Sequence, residues 1–411
     1  MNADGWAYWQ GAKSIADGIG YRYFSGDQIV AWPPLYSLYL SVWIKLLGSE
    51  AFVLVLANGV LIFLQGVGWT LLCYSFVNDL RLPGVLKYLA VYIALTLALY
   101  EGDVLAHNLF YTILPIFIGA SWMTIRHEGK SRAYVALTCA LGVALAESHF
   151  SGVLYVAAAA LILVLGGKDP LQNRAISALA ILFAPVFVLT LTAWRLGQFG
   201  SHPIEGGRFS FVQNLSQVSK AIGSFVVPQS GQILGWLCVL LIFGILGAYA
   251  FKRRATKLHF LVAFTGLALA LLGVAFSITW LNGLISEPRH LMIIPLLLIP
   301  ILISHLFCSD AVLARTAALL IFMTPVWRTL APDDSIAAAN LIPLHACISP
   351  IPGSGKTATV NGKMLVGPIR WEEPQGGYSS TGAPKWGASQ ARVVGAPRVE
   401  GATLSALHRR D

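Results

Sequence analysis

A carboxylate stands at the head of the chain's candidate chemistry. Asp4 precedes the aromatic run Trp6, Tyr8 and Trp9, and Lys13 follows one helical turn later. A Gly-rich turn with Tyr21, Arg22 and Tyr23 comes next, and the stretch closes on Trp32-Pro33-Pro34-Leu35-Tyr36, just before the apolar bulk of the chain. A polar, aromatic loop on a membrane domain is where an integral membrane enzyme can set a catalytic acid beside a lipid-borne substrate. Other chemically capable side chains fall in gaps between apolar runs: Glu101, Asp103 and His107, then Glu147 and His149, then Arg289 and His290. Ionisable groups are costly when they face lipid, so their place at helix mouths marks them as candidates for a site. Each also has a plainer reading. Arg289 and His290 suit headgroup anchors, Lys13 suits a snorkelling side chain, and Glu147 and His149 suit a solvated loop. His202 and Glu205, in the longest gap, have nothing to set them apart from loop residues.

The elements that must position these groups follow from composition. The chain is 56% hydrophobic and 11% charged, with a mean hydropathy of +0.68. Soluble domains have roughly 45–50% apolar and about 25% charged residues. The chain therefore reads as a polytopic membrane protein. With about 20 apolar residues per crossing, spans are expected at 51–76, 84–101, 107–125, 133–147, 149–166, 175–195, 233–251, 258–281, 290–307 and 311–329. These lengths suit helices, in which every backbone polar group is satisfied within the segment, and do not suit the short alternating strands of a membrane barrel. The expected fold class is all-α, in three parts: a first loop over 1–50, a transmembrane domain over 51–330 and a polar tail over 331–411.

Basic residues gather in alternate loops: Arg81 and Lys87; Arg126, Lys130 and Arg132; Lys168 and Arg174; and Lys252, Arg253, Arg254 and Lys257. The bias of Lys and Arg puts these loops in the cytoplasm. The first fifty residues and the gaps carrying Glu101, Glu147, 197–232 and Arg289 share the opposite side. This topology leads to the expectation that one further helix precedes Asp4, because residues 1–30 have no cationic and apolar signal pattern. The net charge of +9 sits largely in the inner loops and the tail, where solvation or anionic lipid accounts for it.

Within the first loop, Trp6, Trp9, Ala12, Ile15 and Ala16 recur at helical spacing, which predicts an amphipathic interfacial helix over 5–17 with Asp4 at its start. Asp4 there also suits an N-cap, a role compatible with chemistry. Pro33-Pro34 breaks the chain, and Leu35 to Leu47 is too short an apolar run to span, so it reads as interfacial or re-entrant.

Cys73, Cys139, Cys238, Cys308 and Cys347 have no paired spacing, which speaks against a disulfide framework or a zinc cage. No internal repeat of the transporter kind is visible. Pro350 to Thr357 resembles a phosphate loop, but Pro350 replaces its first glycine. The tail reads as disordered or as a small appendage.

Asp4-Gly-Trp-Ala-Tyr-Trp-Gln, then Gly18-Ile-Gly-Tyr, then Trp32-Pro-Pro-Leu-Tyr and a helix ending Leu46-Leu47-Gly48 together resemble the first outer loop of the GT-C superfamily of integral-membrane glycosyltransferases. The nearest branch is the bacterial one related to protein O-mannosyltransferases and the lipid A aminoarabinose transferase. Pro288-Arg289-His290-Leu291 leading to Pro295 is similar to the Arg-Tyr-Leu entry of a late helix in that family. The resemblance covers residues 1–330. It implies a bacterial inner-membrane enzyme with its site facing the periplasm, and a first loop that directly follows a transmembrane helix. Where many relatives carry a second acid at a helix entry, this chain has His107-Asn108-Leu109-Phe110, with Glu101 and Asp103 nearby. A divalent metal at that second acidic site is left open, and no other cofactor is implied.

The implied chemistry is transfer of a sugar from a polyprenyl-phosphate donor to a lipid, glycan or protein acceptor. The partners are then the lipid-linked donor, the acceptor and membrane lipids, with no nucleic acid. Inverting transfer needs one carboxylate to take the acceptor's hydroxyl proton, a role that falls to Asp4. The departing phosphate needs cations, first Arg289, then His290 and Lys13. Tyr8, Glu101, Asp103, His107, Glu147 and His149 complete the expected substrate-binding set. A transporter or lipid flippase is the alternative reading.

Overall fold

In a computed structural model, the described residues are chiefly 3–24, 26–29, 32–48, 51–76, 106–166, 170–195, 256–278, 357–360 and 363–366. They form eight helices: α1 Ala3–Ala16, α2 Leu35–Leu47, α3 Ala51–Phe76, α4 Ala106–Arg126, α5 Arg132–Ser148, α6 Gly152–Gly166, α7 Leu171–Arg195 and α8 Thr256–Ile278. The one departure from all-α architecture among these residues is an antiparallel pair in the tail, β1 Thr357–Val360 and β2 Lys363–Val366. A phosphate loop needs its Lys-Thr to open a helix; here Thr357 opens a strand.

Among the described residues, four helices are long and apolar enough to cross a membrane: Phe52–Cys73 of α3, Ala106–Arg126, Leu171–Arg195 and Thr256–Ala275 of α8. Expected spans at 84–101, 311–329 and most of 233–251 and 290–307 lie outside the described residues. Helix α5 and the shorter apolar α6 form where spans were expected over 133–147 and 149–166.

Each long helix divides its faces by burial. On α3, Leu54, Ala57, Leu61 and Trp69 are buried, while Phe52, Val55, Phe63 and Leu71 are exposed. On α7, Leu179, Phe183, Phe187 and Trp194 are exposed. In water each such side chain would forgo about 1.5–3 kcal/mol of burial; against lipid tails that penalty vanishes. An outward face of Phe, Leu and Val is what a bilayer-facing helix requires.

Buried polar groups lock the helices in register. Pro115 inside α4 cannot supply the N–H that would bond the carbonyl of Tyr111, four residues earlier. The indole N–H of Trp69 donates to that carbonyl instead, at 3.0 Å from the neighbouring α3. Asn58 Oδ1 accepts from Tyr36 Oη at 2.7 Å and from Asn108 Nδ2 at 2.9 Å, which ties α2, α3 and α4 together. The hydroxyls of Thr124 and Thr138 meet at 2.9 Å between α4 and α5.

Helix α1 departs from expectation. It begins at Ala3, so Asp4 lies inside the first turn and not at the cap position before it. It is also covered on nearly every side, with Tyr8, Trp9, Gln10, Ala12 and Ser14 all buried, and is not a surface helix with one wet face. The reason is Gly11. A Cβ there would lie 2.4 Å from the Tyr21 ring and 2.9 Å from the end of the Ile29 side chain, so glycine lets the returning loop pack this closely. Gln10, polar and buried, accepts the Phe24 N–H at 2.8 Å. On α2 the buried side is Tyr36, Ser37, Leu40, Ser41 and Ile44, while Leu38, Val42 and Leu46 make an exposed apolar stripe.

Candidate functional site

The bundle has two chemically distinct ends. At one, Arg126, Lys130 and Arg132 flank the α4–α5 turn, Arg174 donates to the carbonyl of Val164, and Lys257 Nζ donates to Ser75 O at 2.7 Å. That turn is closed by paired bonds, Gly129 N–H to Thr124 O and Glu128 N–H to Ile125 O. The other end gathers the first loop, the start of α4, the α5–α6 turn and the end of α7. Gln28 Nε2 reaches Arg195 O at 3.3 Å, and Asn108 meets Asn58.

At this second end the rings of His107 and His149 lie 4.4 Å apart, centroid to centroid, with their planes at 46°. His107 comes from the first turn of α4, where Asn108 is anchored to Asn58. His149 caps α5, its N–H bonded to Leu145 O at 3.0 Å. The turn is then drawn tight by Gly152, whose N–H bonds His149 O at 2.8 Å. A Cβ on Gly152 would fall 2.5 Å from the Leu145 carbonyl carbon, so the helices approach this closely only at a glycine.

Ser151 holds the ring of His149: its backbone N–H lies 3.2 Å from Nδ1, and its hydroxyl 2.7 Å from the same nitrogen. Among the described residues no three His, Cys, Asp or Glu side chains come together as a metal cage.

Glu147, two residues before His149, is 8% exposed, and its Oε1 is buried without a hydrogen-bond partner. Sequence reading places Glu147 in a solvated gap or a site; the structure buries it in the last turn of α5.

Tyr8 is 2% exposed and packs edge-on against Tyr36 at 5.2 Å and Trp32 at 6.3 Å. It is a wall of the first loop, not an open binding surface. One apolar cluster joins Tyr8, Trp9 and Ala12 of α1 through Tyr36 and Leu40 of α2 to Ala106 and Leu109 of α4. Helix α1 is thereby fixed against the same helix end that carries His107. Lys13 lies half-buried in the last turn of α1, where its charge complements the helix dipole. Asp4 lies on the first turn of α1. Its side chain, like Glu101, Asp103, Arg289 and His290 as a whole, falls outside the described residues.

Asn58 and Ser151 were not among the candidates read from sequence. Both act through partners distant in the chain or dependent on a turn's geometry, and neither spacing nor type marks them. Comparison with family models, with characterised proteins and with solved structures gives no match for this chain.

Proposed function

We propose that the chain is an integral-membrane glycosyltransferase of the GT-C type. It moves a sugar from a polyprenyl-phosphate donor to an acceptor on the periplasmic face of a bacterial inner membrane. The observation that carries this reading is the gathering of the first loop, with Asp4 on α1, and of His107, Glu147 and His149 at the bundle end away from the basic loops. An aromatic-walled loop packed on apolar helices suits a substrate whose reactive head is polar and whose tail is hydrocarbon.

In this reading Asp4 takes the proton from the acceptor hydroxyl as its oxygen bonds to the sugar's anomeric carbon. The bond from that carbon to the phosphate oxygen breaks, and its electron pair leaves with the lipid phosphate. Arg289, with His290 and Lys13, offsets the charge that develops there.

Glu147 gives the transporter alternative one specific point in its favour, since a buried carboxyl between helices is what a path for protons or solutes requires. The test is transfer from a radiolabelled polyprenyl-phosphate sugar pool in membranes carrying the chain, beside Asp4→Asn at equal protein level. Loss of transfer in Asp4→Asn supports enzyme and base together. Full activity in Asp4→Asn removes Asp4 from the chemistry. No transfer by either, with solute flux in proteoliposomes that Glu147→Gln abolishes, supports the transporter.

A further inference from the structure

We propose that the turn between α4 and α5 binds an anionic phospholipid, with the headgroup phosphate on Arg126, Lys130 and Arg132 and the acyl chains on the apolar surface of the bundle next to it. This end of the bundle lies away from the first loop, so the lipid is a bound partner and not a substrate of the proposed transfer.

Arg126, Lys130 and Arg132 fall within a stretch of seven residues, and all three are exposed; the one carboxylate among them, Glu128, is half-buried. Like charges held this close repel one another, and an anion that approaches all three relieves the repulsion. The backbone that carries them is already in place. Ser177 Oγ of α7 donates to Gly129 O at 3.1 Å, and a Cβ on Gly129, whose φ is +76°, would lie 2.7 Å from that Oγ and 3.8 Å from Leu163 of α6. Two further helices thus fix the turn, and binding does not have to order it.

Aromatic residues give the depth of this turn. Arg126 ends the apolar stretch Ala106–Arg126, one helical turn past Trp122, which packs on Phe260 at 5.4 Å. Tyr134, in the first turn of α5, stacks on His127 at 5.2 Å with the rings 17° apart. Trp and Tyr gather at headgroup level on membrane proteins, which sets the three cations where lipid phosphates lie. The adjoining surface is apolar: Leu137 on α5 and Ile176, Leu179 and Phe183 on α7, a helix that starts from the same end, are 47–65% exposed. A soluble phosphate would meet the cations and leave that surface bare. An anionic phospholipid matches both.

The experiment takes the full chain in nonionic detergent at about 0.15 M salt and follows displacement of a fluorescent phosphatidylglycerol. The competitors are unlabelled phosphatidylglycerol, phosphatidylcholine with the same acyl chains, and millimolar glycerol 3-phosphate. A Lys or Arg beside an anionic lipid is worth roughly fivefold in affinity. Phosphatidylglycerol should therefore compete about twentyfold or more better than phosphatidylcholine, and glycerol 3-phosphate should not compete. The triple variant Arg126→Gln, Lys130→Gln, Arg132→Gln should bring the two lipids to within about twofold, with its thermal midpoint close to the parent's because the changes are on the surface. Arg132→Gln alone, the smaller perturbation of the fold, should lower the preference roughly fivefold. Lys45→Gln, which removes an exposed cation on α2, should leave it intact. A preference that survives the triple variant, or that Lys45→Gln lowers as much as Arg132→Gln does, overturns the site, since the anion then binds elsewhere or responds only to net charge. Equal competition by both lipids in the parent also overturns it. Displacement by glycerol 3-phosphate overturns the lipid as occupant and leaves a site for soluble phosphate.

Discussion

The imidazole of His107 sits 4.4 Å from that of His149, and the pair joins the first turn of α4 to the turn between α5 and α6. Neither residue reaches the other through its own helix. The contact exists because Asn58 holds Asn108 on one side and because Gly152 lets two helices meet closely on the other. Both supports can be removed one at a time.

Gly152→Ala should cost about 1–3 kcal/mol, since the added methyl would press on the backbone of Leu145 and not on a side chain that could turn away. The thermal midpoint in detergent should fall. Spin labels or crosslinks placed at positions 107 and 149 should report a wider separation than in the parent. An unchanged midpoint would mean that the turn is looser than its geometry indicates.

Asn58→Ala removes the acceptor shared by Tyr36 and Asn108. The expected loss is about 1–3 kcal/mol. A double-mutant cycle of Asn58→Ala with Asn108→Ala should give a coupling energy of about 0.5–3 kcal/mol. Simple additivity of the two losses would show that the hydrogen bond between them does not hold α3 to α4.

Trp69→Phe takes away the indole N–H that serves the carbonyl released by Pro115, at a cost of about 1–3 kcal/mol. The same substitution made in a Pro115→Ala background should cost less, because the alanine N–H restores the helical bond to Tyr111. Equal costs in the two backgrounds would refute the compensation.

Tyr21 gives the first loop a dependence on alkaline pH. Its ring is buried and its hydroxyl donates to Trp32 O at 3.3 Å. Burial pushes its ionisation well above the ordinary tyrosine range, against a smaller lowering by the Ser37 hydroxyl. The folded loop therefore favours the protonated phenol, and the unfolded loop releases the proton first. That stabilisation is fully present below the unfolded value, about 10, and declines as pH rises past it. Limited proteolysis between residues 17 and 34 should accelerate above that pH in the parent. Tyr21→Phe should cleave at a rate much less sensitive to pH over the same range.

The sequence by itself determined the elements and the class. Apolar runs of bilayer length read as helices, and α3, α4, α6 and α7 form within a few residues of the stretches that carry those runs. Pro33-Pro34 and Gly48 bound α2 where local chemistry demands it. These outcomes depend on neighbours in the chain, so a linear reading reaches them. The alternation of basic loops also separates one bundle end from the other, because it depends on loop composition alone.

Tertiary structure decided what each polar side chain became. The sequence reads α1 as a surface helix, but a loop folded over Gly11 buries it, and helical spacing cannot reveal a cover supplied by Tyr21 and Ile29. It reads Glu147 as one member of a polar gap, and only the packing of distant helices leaves it buried with one carboxyl oxygen unmet. His107 and His149 are separate candidates in sequence and a single pair in space. Periodicity tells which face of a helix avoids water, whereas the identity of the group that meets that face depends on how distant segments pack, and hydrogen bonds and ring contacts act over a few ångströms of space, not of chain.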